Sequence, residues 1–150
     1  MEQSPSLLRI IKIDYLALLG VLLPAVTWGV GLVTQFFDPD TAAFFLFIAQ
    51  IVTVPGLLLL WWRVRTIRKV FTDGDETPGV ITGIFFYRDR GRVEYAYTYQ
   101  GQEYRSSNAI HSTGITRSLV PGQTVTVMVD SLNPKRAFVR ELYVEENTSV

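Results

Sequence analysis

Residues 15–62 read YLALLGVLLPAVTWGVGLVTQFFDPDTAAFFLFIAQIVTVPGLLLLWW, and their pattern gives the strongest structural prediction in the chain. It holds two apolar runs, 15–37 and 42–62, which contain no Asp, Glu, Lys, Arg or His and are separated by only four residues. A helix crosses a hydrocarbon core of about 30 Å with about 20 residues, and both runs reach that length. The sequence therefore predicts a transmembrane hairpin, with Asp38 as the N-cap and Pro39 as the first residue of the second helix.

The charges around these runs predict how the hairpin is oriented. The loop contains Asp38 and Asp40 and no basic residue, whereas basic residues flank both outer ends of the hairpin. Short segments rich in Lys and Arg stay in the cytoplasm, so we expect both termini there. A cleaved signal peptide is not expected, because the first run is too long and a second span follows at once. The flanking basic residues are Arg9, Lys12, Arg63, Arg65, Arg68 and Lys69.

Small and weakly polar residues recur at spacings of three and four in both runs, so they share one face of each helix. Helices associate in membranes through such faces, because lipid tails leave no hydrophobic driving force between helices. Either the two faces pack together within one chain, or one of them receives a helix from another copy or another protein. The residues of this predicted helix-packing face are Gly20, Pro24, Thr27, Gly31, Gln50, Thr53 and Gly56.

The part of the chain after residue 79 has short alternating apolar patterns separated by turn residues, which are typical of half-buried strands. We predict strands at 80–87, 92–100, 102–107, 123–130 and 137–144. Five short strands at this spacing indicate a small antiparallel β-barrel or sandwich in the size class of OB and SH3-like folds. The fold class is therefore α+β, a membrane hairpin followed by a β-domain. The expected boundaries are 1–14 for an interfacial lead-in, 15–69 for the hairpin with its basic exit, 70–79 for a linker, 80–145 for the β-domain and 146–150 for a tail.

Four short stretches of the predicted β-domain form a recognisable set: TPGVITG at 77–83, YAYTYQGQEY at 95–104, PGQTVTV at 121–127, and Asn133-Pro134. Together they resemble a widespread bacterial family of unknown function, whose members join membrane spans to a small β-barrel-like domain. The resemblance implies the same fold and the same membrane context, which would be a bacterial inner membrane. It supplies no catalytic residue.

Tyr95, Tyr97 and Tyr99 alternate along the second predicted strand and so lie on one face. They either form the core face of the barrel, or contact a protein partner, or stack on single-stranded nucleic acid. Nucleic-acid binding proteins carry an excess of basic residues, and this chain has 14 basic and 14 acidic residues. We therefore do not expect nucleic acid as a partner.

Arg88, Arg90 and Arg92 surround the turn between the first two predicted strands. Solvated turn charges are one interpretation of this cluster. Contacts with anionic lipid headgroups or with a protein partner are the other.

The single histidine, His111, is followed by Ser112 and is the only candidate imidazole base of a hydrolase. Members of a catalytic triad come from separate elements, so Ser106, Ser107 or Asp130 would have to approach it in the fold. One histidine and no cysteine leave too few of the usual ligands for zinc. We expect no catalytic residue, no cofactor, no metal and no small-molecule substrate.

The leading hypothesis is a non-enzymatic membrane protein whose cytoplasmic β-domain docks a partner inside a membrane complex. The expected partners are membrane lipid and either another protein or a second copy of the chain. The alternatives are a membrane-bound hydrolase that uses His111 and a nucleic-acid-binding barrel that uses Tyr95, Tyr97 and Tyr99.

Overall fold

A computed structural model of the chain describes residues 4–144, so the predicted tail 146–150 lies outside the described residues. The chain forms two compact units. The hairpin unit is Leu16–Val64, and the β-unit consists of the residues before Leu16 and after Val64. In chain order the elements are α1 (Leu7–Ile13), α2 (Tyr15–Thr34), α3 (Pro39–Asp73), β1 (Asp75–Tyr87), β2 (Arg90–Tyr99), β3 (Gln102–His111), α4 (Gly114–Arg117), β4 (Thr124–Asp130), β5 (Asn133–Val139) and α5 (Arg140–Tyr143).

The helices α2 and α3 are long and apolar enough to cross a membrane, with mean hydropathies of 2.2 and 2.3 in their most apolar windows. Only 22% and 11% of those windows are buried, whereas the core helix of a soluble protein would be mostly buried. These two features indicate membrane association. The predicted cap of α3 is confirmed, because Asp38 Oδ1 accepts hydrogen bonds from the backbone N–H groups of Asp40 and Thr41. The Thr41 hydroxyl, which donates to Asp38 Oδ2, lowers the pKa of the Asp38 carboxyl.

The backbones of the two helices approach closely at glycines. A Cβ atom added to Gly20 would lie 2.8 Å from Gly56 O, and one added to Gly56 would lie 2.8 Å from Pro24 Cγ. A Cβ atom on Gly31 would lie 2.8 Å from Leu46 Cδ2. The small-residue faces of the hairpin therefore pack against each other within one chain.

Two threonines of the predicted helix-packing face are satisfied inside the hairpin unit. The Thr27 hydroxyl donates to the backbone carbonyls one turn before it, and Thr53 Oγ1 donates to Ala49 O at 2.6 Å. Thr53 Oγ1 also accepts a hydrogen bond from Trp28 Nε1 at 3.0 Å. The Gln50 side chain is exposed, so it does not contribute to the contact between the two helices of the hairpin unit. Gln50 directly follows Ala49, which is buried. Successive residues of a helix point about 100° apart, so Gln50 faces away from the side on which Ala49 packs.

The predicted linker at 70–79 is wrong. The helix α3 continues to Asp73, and β1 begins at Asp75, so this segment is helix and strand joined by Gly74. Charged and turn-forming residues suggested a loop, but Val70 and Phe71 are buried in the β-unit and extend the helix into it. Burial of these apolar side chains outweighs the local preference of the following Asp73-Gly74-Asp75 sequence.

The sheet is antiparallel and its strand order is β3-β2-β1-β4-β5. All five predicted strands are present, but β1 begins five residues before the predicted strand 80–87 and β3 ends four residues after the predicted strand 102–107. The last strand spans Asn133–Val139 and is followed by the short helix α5, where strand 137–144 was expected. A bulge between Ile81 and Gly83 bends β1, which pairs with β4 from Asp75 to Val80 and with β2 from Gly79 to Tyr87. Bulges increase the twist of a sheet and allow it to curl into a barrel.

Side chains join the two outer strands and make the sheet a nearly closed barrel. The Asn108 amide of β3 donates to Ala137 O of β5 at 3.1 Å and accepts from Val139 N at 3.3 Å. Nearer the other end of the strands, the Ser106 hydroxyl donates to Lys135 O at 3.2 Å. These bonds occupy strand groups that would otherwise remain available for pairing with another chain.

The helix α1, predicted as an interfacial lead-in, is packed within the β-unit. Ile10 and Ile13 are buried, and Asp14 forms a β-bridge with Ile110. Arg9 Nε donates to Leu142 O at 3.0 Å, so the guanidinium binds a carbonyl of α5. Ile10 and Ile13 therefore pack in the protein core. Composition alone cannot distinguish an apolar segment that packs in a core from one that contacts lipid.

Candidate functional site

The turn between β1 and β2 presents aromatic and arginine side chains on the outer face of the barrel. Opposite residues in an antiparallel pair share a face, and the register places Phe85 opposite Arg92 and Tyr87 opposite Arg90. Phe85 and Tyr87 are 61% and 63% exposed. We call the set Phe85, Tyr87, Arg88, Arg90 and Arg92 the tip surface.

Contacts within the tip surface and a hydrogen bond across the turn hold its side chains in place. The guanidinium groups of Arg88 and Arg90 lie 5.7 Å and 5.4 Å from the centre of the Tyr87 ring. Such cation–π contacts fix the charged groups beside an apolar surface. Across the turn, Ser112 N donates to Asp89 O at 2.8 Å and ties the turn to the residue after β3.

Gly91 allows a further aromatic ring to lie against the hairpin. Phe86 pairs with Gly91, and a Cβ atom on Gly91 would lie 2.5 Å from Phe86 Cδ1. The Phe86 ring thus covers the glycine, as aromatic residues do opposite strand glycines. The result is an ordered apolar and cationic surface, which suits a partner with acidic and apolar groups.

Tyr95, Tyr97 and Tyr99 form a stripe that lies in the barrel interior. Tyr95 is 0% exposed, and its hydroxyl lies 2.6 Å from Ala137 O and 3.0 Å from Asn108 Oδ1. The Tyr97 hydroxyl donates to Pro134 O, and the Tyr99 hydroxyl donates to Asp75 Oδ2. A partner or a nucleic-acid base could not stack on the buried ring of Tyr95 without opening the barrel.

These environments shift the tyrosine pKa values in one direction. Burial raises the pKa of Tyr97 to about 12 and also raises the pKa of Tyr95. The hydrogen bond with the Asp75 carboxylate raises the pKa of Tyr99. All three hydroxyls therefore remain protonated near neutral pH and act as donors inside the barrel.

His111 ends β3 on the outer face, opposite Arg90. Ser112 and Asp130, which could have joined a catalytic set with it, have other partners: Ser112 Oγ accepts from Arg117 Nε at 2.7 Å, and Asp130 forms an ion pair with Arg136 at 3.2 Å. Ser107 lies opposite Glu94 in the pairing of β3 with β2. The Ser106 hydroxyl bonds Lys135 O. Between residues 4 and 144, the structure brings no serine or aspartate into hydrogen-bond contact with His111 and assembles no group of three metal-binding side chains.

Sequence reasoning missed Asn108 and the aromatic half of the tip surface. Asn108 had a signal, because it stands two residues before Ile110 on the inward-facing side of β3. The run Phe85-Phe86-Tyr87 also had one, since consecutive aromatics at a strand end cannot all face the core.

A comparison with known protein families found a match to a family model whose description gives no function. Residues 69–142 match the family model described as Domain of unknown function (DUF3592), so the predicted resemblance to a family of unknown function is supported. The match runs from the last turn of α3 through the five strands to α5. No curated protein and no solved structure matched the chain.

Proposed function

We propose that the chain is a membrane-anchored, non-enzymatic docking protein of a bacterial inner membrane. Its hairpin unit anchors it, and its β-unit faces the cytoplasm and binds an acidic protein partner of a membrane complex through the tip surface. The observation that carries this proposal is the pairing of exposed Phe85 and Tyr87 with Arg92 and Arg90 on one outer face.

The orientation follows from the charge distribution. Basic residues lie before α2 and in the last part of α3, while the loop between the helices carries Asp38 and Asp40. Positive segments are retained in the cytoplasm during insertion. The β-unit follows the basic end of α3 directly, so the same rule supports a cytoplasmic β-unit.

The composition of the tip surface supports a protein partner. Aromatic and arginine residues are the side chains that most often dominate the binding energy of protein interfaces. The strand edges of the β-unit are bonded to each other through Asn108 and Ser106, so strand addition is a poorer route for binding. The tip surface remains as a cluster of exposed rings whose charges select an acidic partner.

A photo-crosslinking residue at Phe85, introduced into the full chain in living cells, tests this proposal. We expect a discrete protein adduct at Phe85 and none at Glu103, which is exposed at the opposite end of the same strands. The double change Arg90→Glu and Arg92→Glu should lower the adduct by about tenfold, the loss expected when interface arginines are removed.

The matched control is Arg105→Glu, which reverses an exposed charge near Glu103 and should leave the Phe85 adduct unchanged. Equal adducts at Phe85 and Glu103 would contradict the proposal. An adduct made of lipid alone would also contradict it, because the tip surface would then contact a bilayer.

A further inference from the structure

The helix α3 carries a second stripe of regularly spaced residues on its outer side. Ala43, Phe47, Gln50, Val54 and Leu57 follow one another at spacings of four and three, and all of them are exposed. The seam within the hairpin unit uses other residues, among them Ala42, Ala49 and Gly56, each seven apart. Alternating spacings of four and three are the pattern by which two helices pack in a left-handed pair.

Gln50 is the polar exception in this outer stripe. The hydroxyls of Thr27, Thr34 and Thr53 donate to backbone carbonyls, and Trp28 donates to Thr53. The Gln50 side chain has no hydrogen-bond partner in the described part of the chain, although it lies well inside the apolar run 42–62. An amide in hydrocarbon strongly favours a hydrogen-bonded partner, and polar side chains in spans accordingly pair across helices.

We propose that the outer stripe of α3 binds the same stripe of a second copy, so that the two Gln50 amides hydrogen-bond to each other across a two-fold axis. An amide carries both donors and an acceptor, so two glutamine side chains satisfy each other reciprocally. All copies enter the membrane in one orientation, so a parallel pair brings Gln50 to Gln50 at the same depth. The flanking Phe47 and Val54 then meet their own counterparts, as an isologous interface requires.

This pairing uses a surface that the β-unit does not contribute to. It is therefore independent of the tip surface and of the partner proposed for it. A single polar residue in an apolar packing stripe also fixes the register of the pair, because any shift would separate the amides.

Oxidative crosslinking in membranes tests the pairing directly, because the chain contains no cysteine. A cysteine at Val54 should form a disulfide-linked dimer. A cysteine at Val26 of α2 should not, and it is the matched control, since these valines are 62% and 58% exposed. Adding Gln50→Leu should lower the Val54→Cys dimer yield by about tenfold, the change expected when interhelical amide hydrogen bonds are lost in a membrane.

Leucine at position 50 keeps the span apolar, so the chain should still insert, and the amount of membrane-extracted protein checks this. Gln50→Asn, which keeps the amide, should retain more of the dimer than Gln50→Leu. Equal crosslinking at Val54 and Val26 would overturn the proposal, and so would a Val54 dimer that persists unchanged with Gln50→Leu.

Discussion

Replacing Asn108 by leucine is expected to lower the free energy of unfolding of the β-unit by about 3 kcal/mol, the effect of leaving buried polar groups without partners. The Asn108 side chain is 4% exposed and bonds Ala137 O and Val139 N of the opposite strand. Leucine offers neither a donor nor an acceptor, so Val139 N–H stays buried without this bond and the barrel loses a closure point. Urea denaturation of the detergent-solubilised full chain, followed by the near-ultraviolet circular dichroism of its tyrosines, measures the loss.

The neighbouring change Ser107→Leu is the control for this measurement. Ser107 is exposed on the same strand, so leucine there changes the stability little. Equal stability of the Asn108→Leu and Ser107→Leu chains would show that the side-chain closure between β3 and β5 contributes nothing.

Replacing Gly20 or Gly56 by leucine should disrupt the hairpin unit. A Cβ atom at Gly20 would lie 2.8 Å from Gly56 O and 3.1 Å from Leu60 N, and these backbone atoms cannot move aside without separating the helices. Overpacking of this kind costs about 1–3 kcal/mol, and a whole leucine side chain belongs at the upper end. Titration of the solubilised protein with sodium dodecyl sulfate, followed by far-ultraviolet circular dichroism, measures the change.

Gly29→Leu provides a matched control, because a Cβ atom there would meet nothing within 4 Å. The same substitution in the same helix should therefore be neutral or slightly stabilising, since leucine favours a helix more than glycine does. Equal destabilisation by Gly20→Leu and Gly29→Leu would mean that the two helices do not pack as described.

The overall fold could be predicted because the sequence patterns that indicate it extend over many residues. Two uncharged runs predicted two helices, and alternation in the later part predicted five strands whose positions the structure largely confirms. Predictions from short local patterns were wrong where packing against distant parts of the chain determines the structure. Val70 and Phe71 carry α3 into the β-unit through a segment that looked like a linker, and Ile10 and Ile13 join the same core.

The candidate site could be predicted only in part from the sequence. The sequence does not show which face of each strand points into the barrel. Alternation placed the three tyrosines together but could not say whether their shared face points inward. In the structure, Tyr95 is buried in the core. Arg90 and Arg92 lie on the outer face of the barrel, opposite Tyr87 and Phe85. The pairing of each ring with an arginine depends on strand register, which turn residues alone did not specify.

Labelling of single cysteines with a membrane-impermeant maleimide tests the central claim that the chain is a membrane hairpin with a cytoplasmic β-unit. Because the chain has no cysteine, Asp40→Cys in the first turn of α3 and Thr98→Cys in β2 each report one position, and both positions are exposed. In cells whose inner membrane is intact, we expect labelling of Asp40→Cys and protection of Thr98→Cys until the membrane is broken. Labelling of Thr98→Cys in intact cells, or protection of Asp40→Cys there, would contradict it.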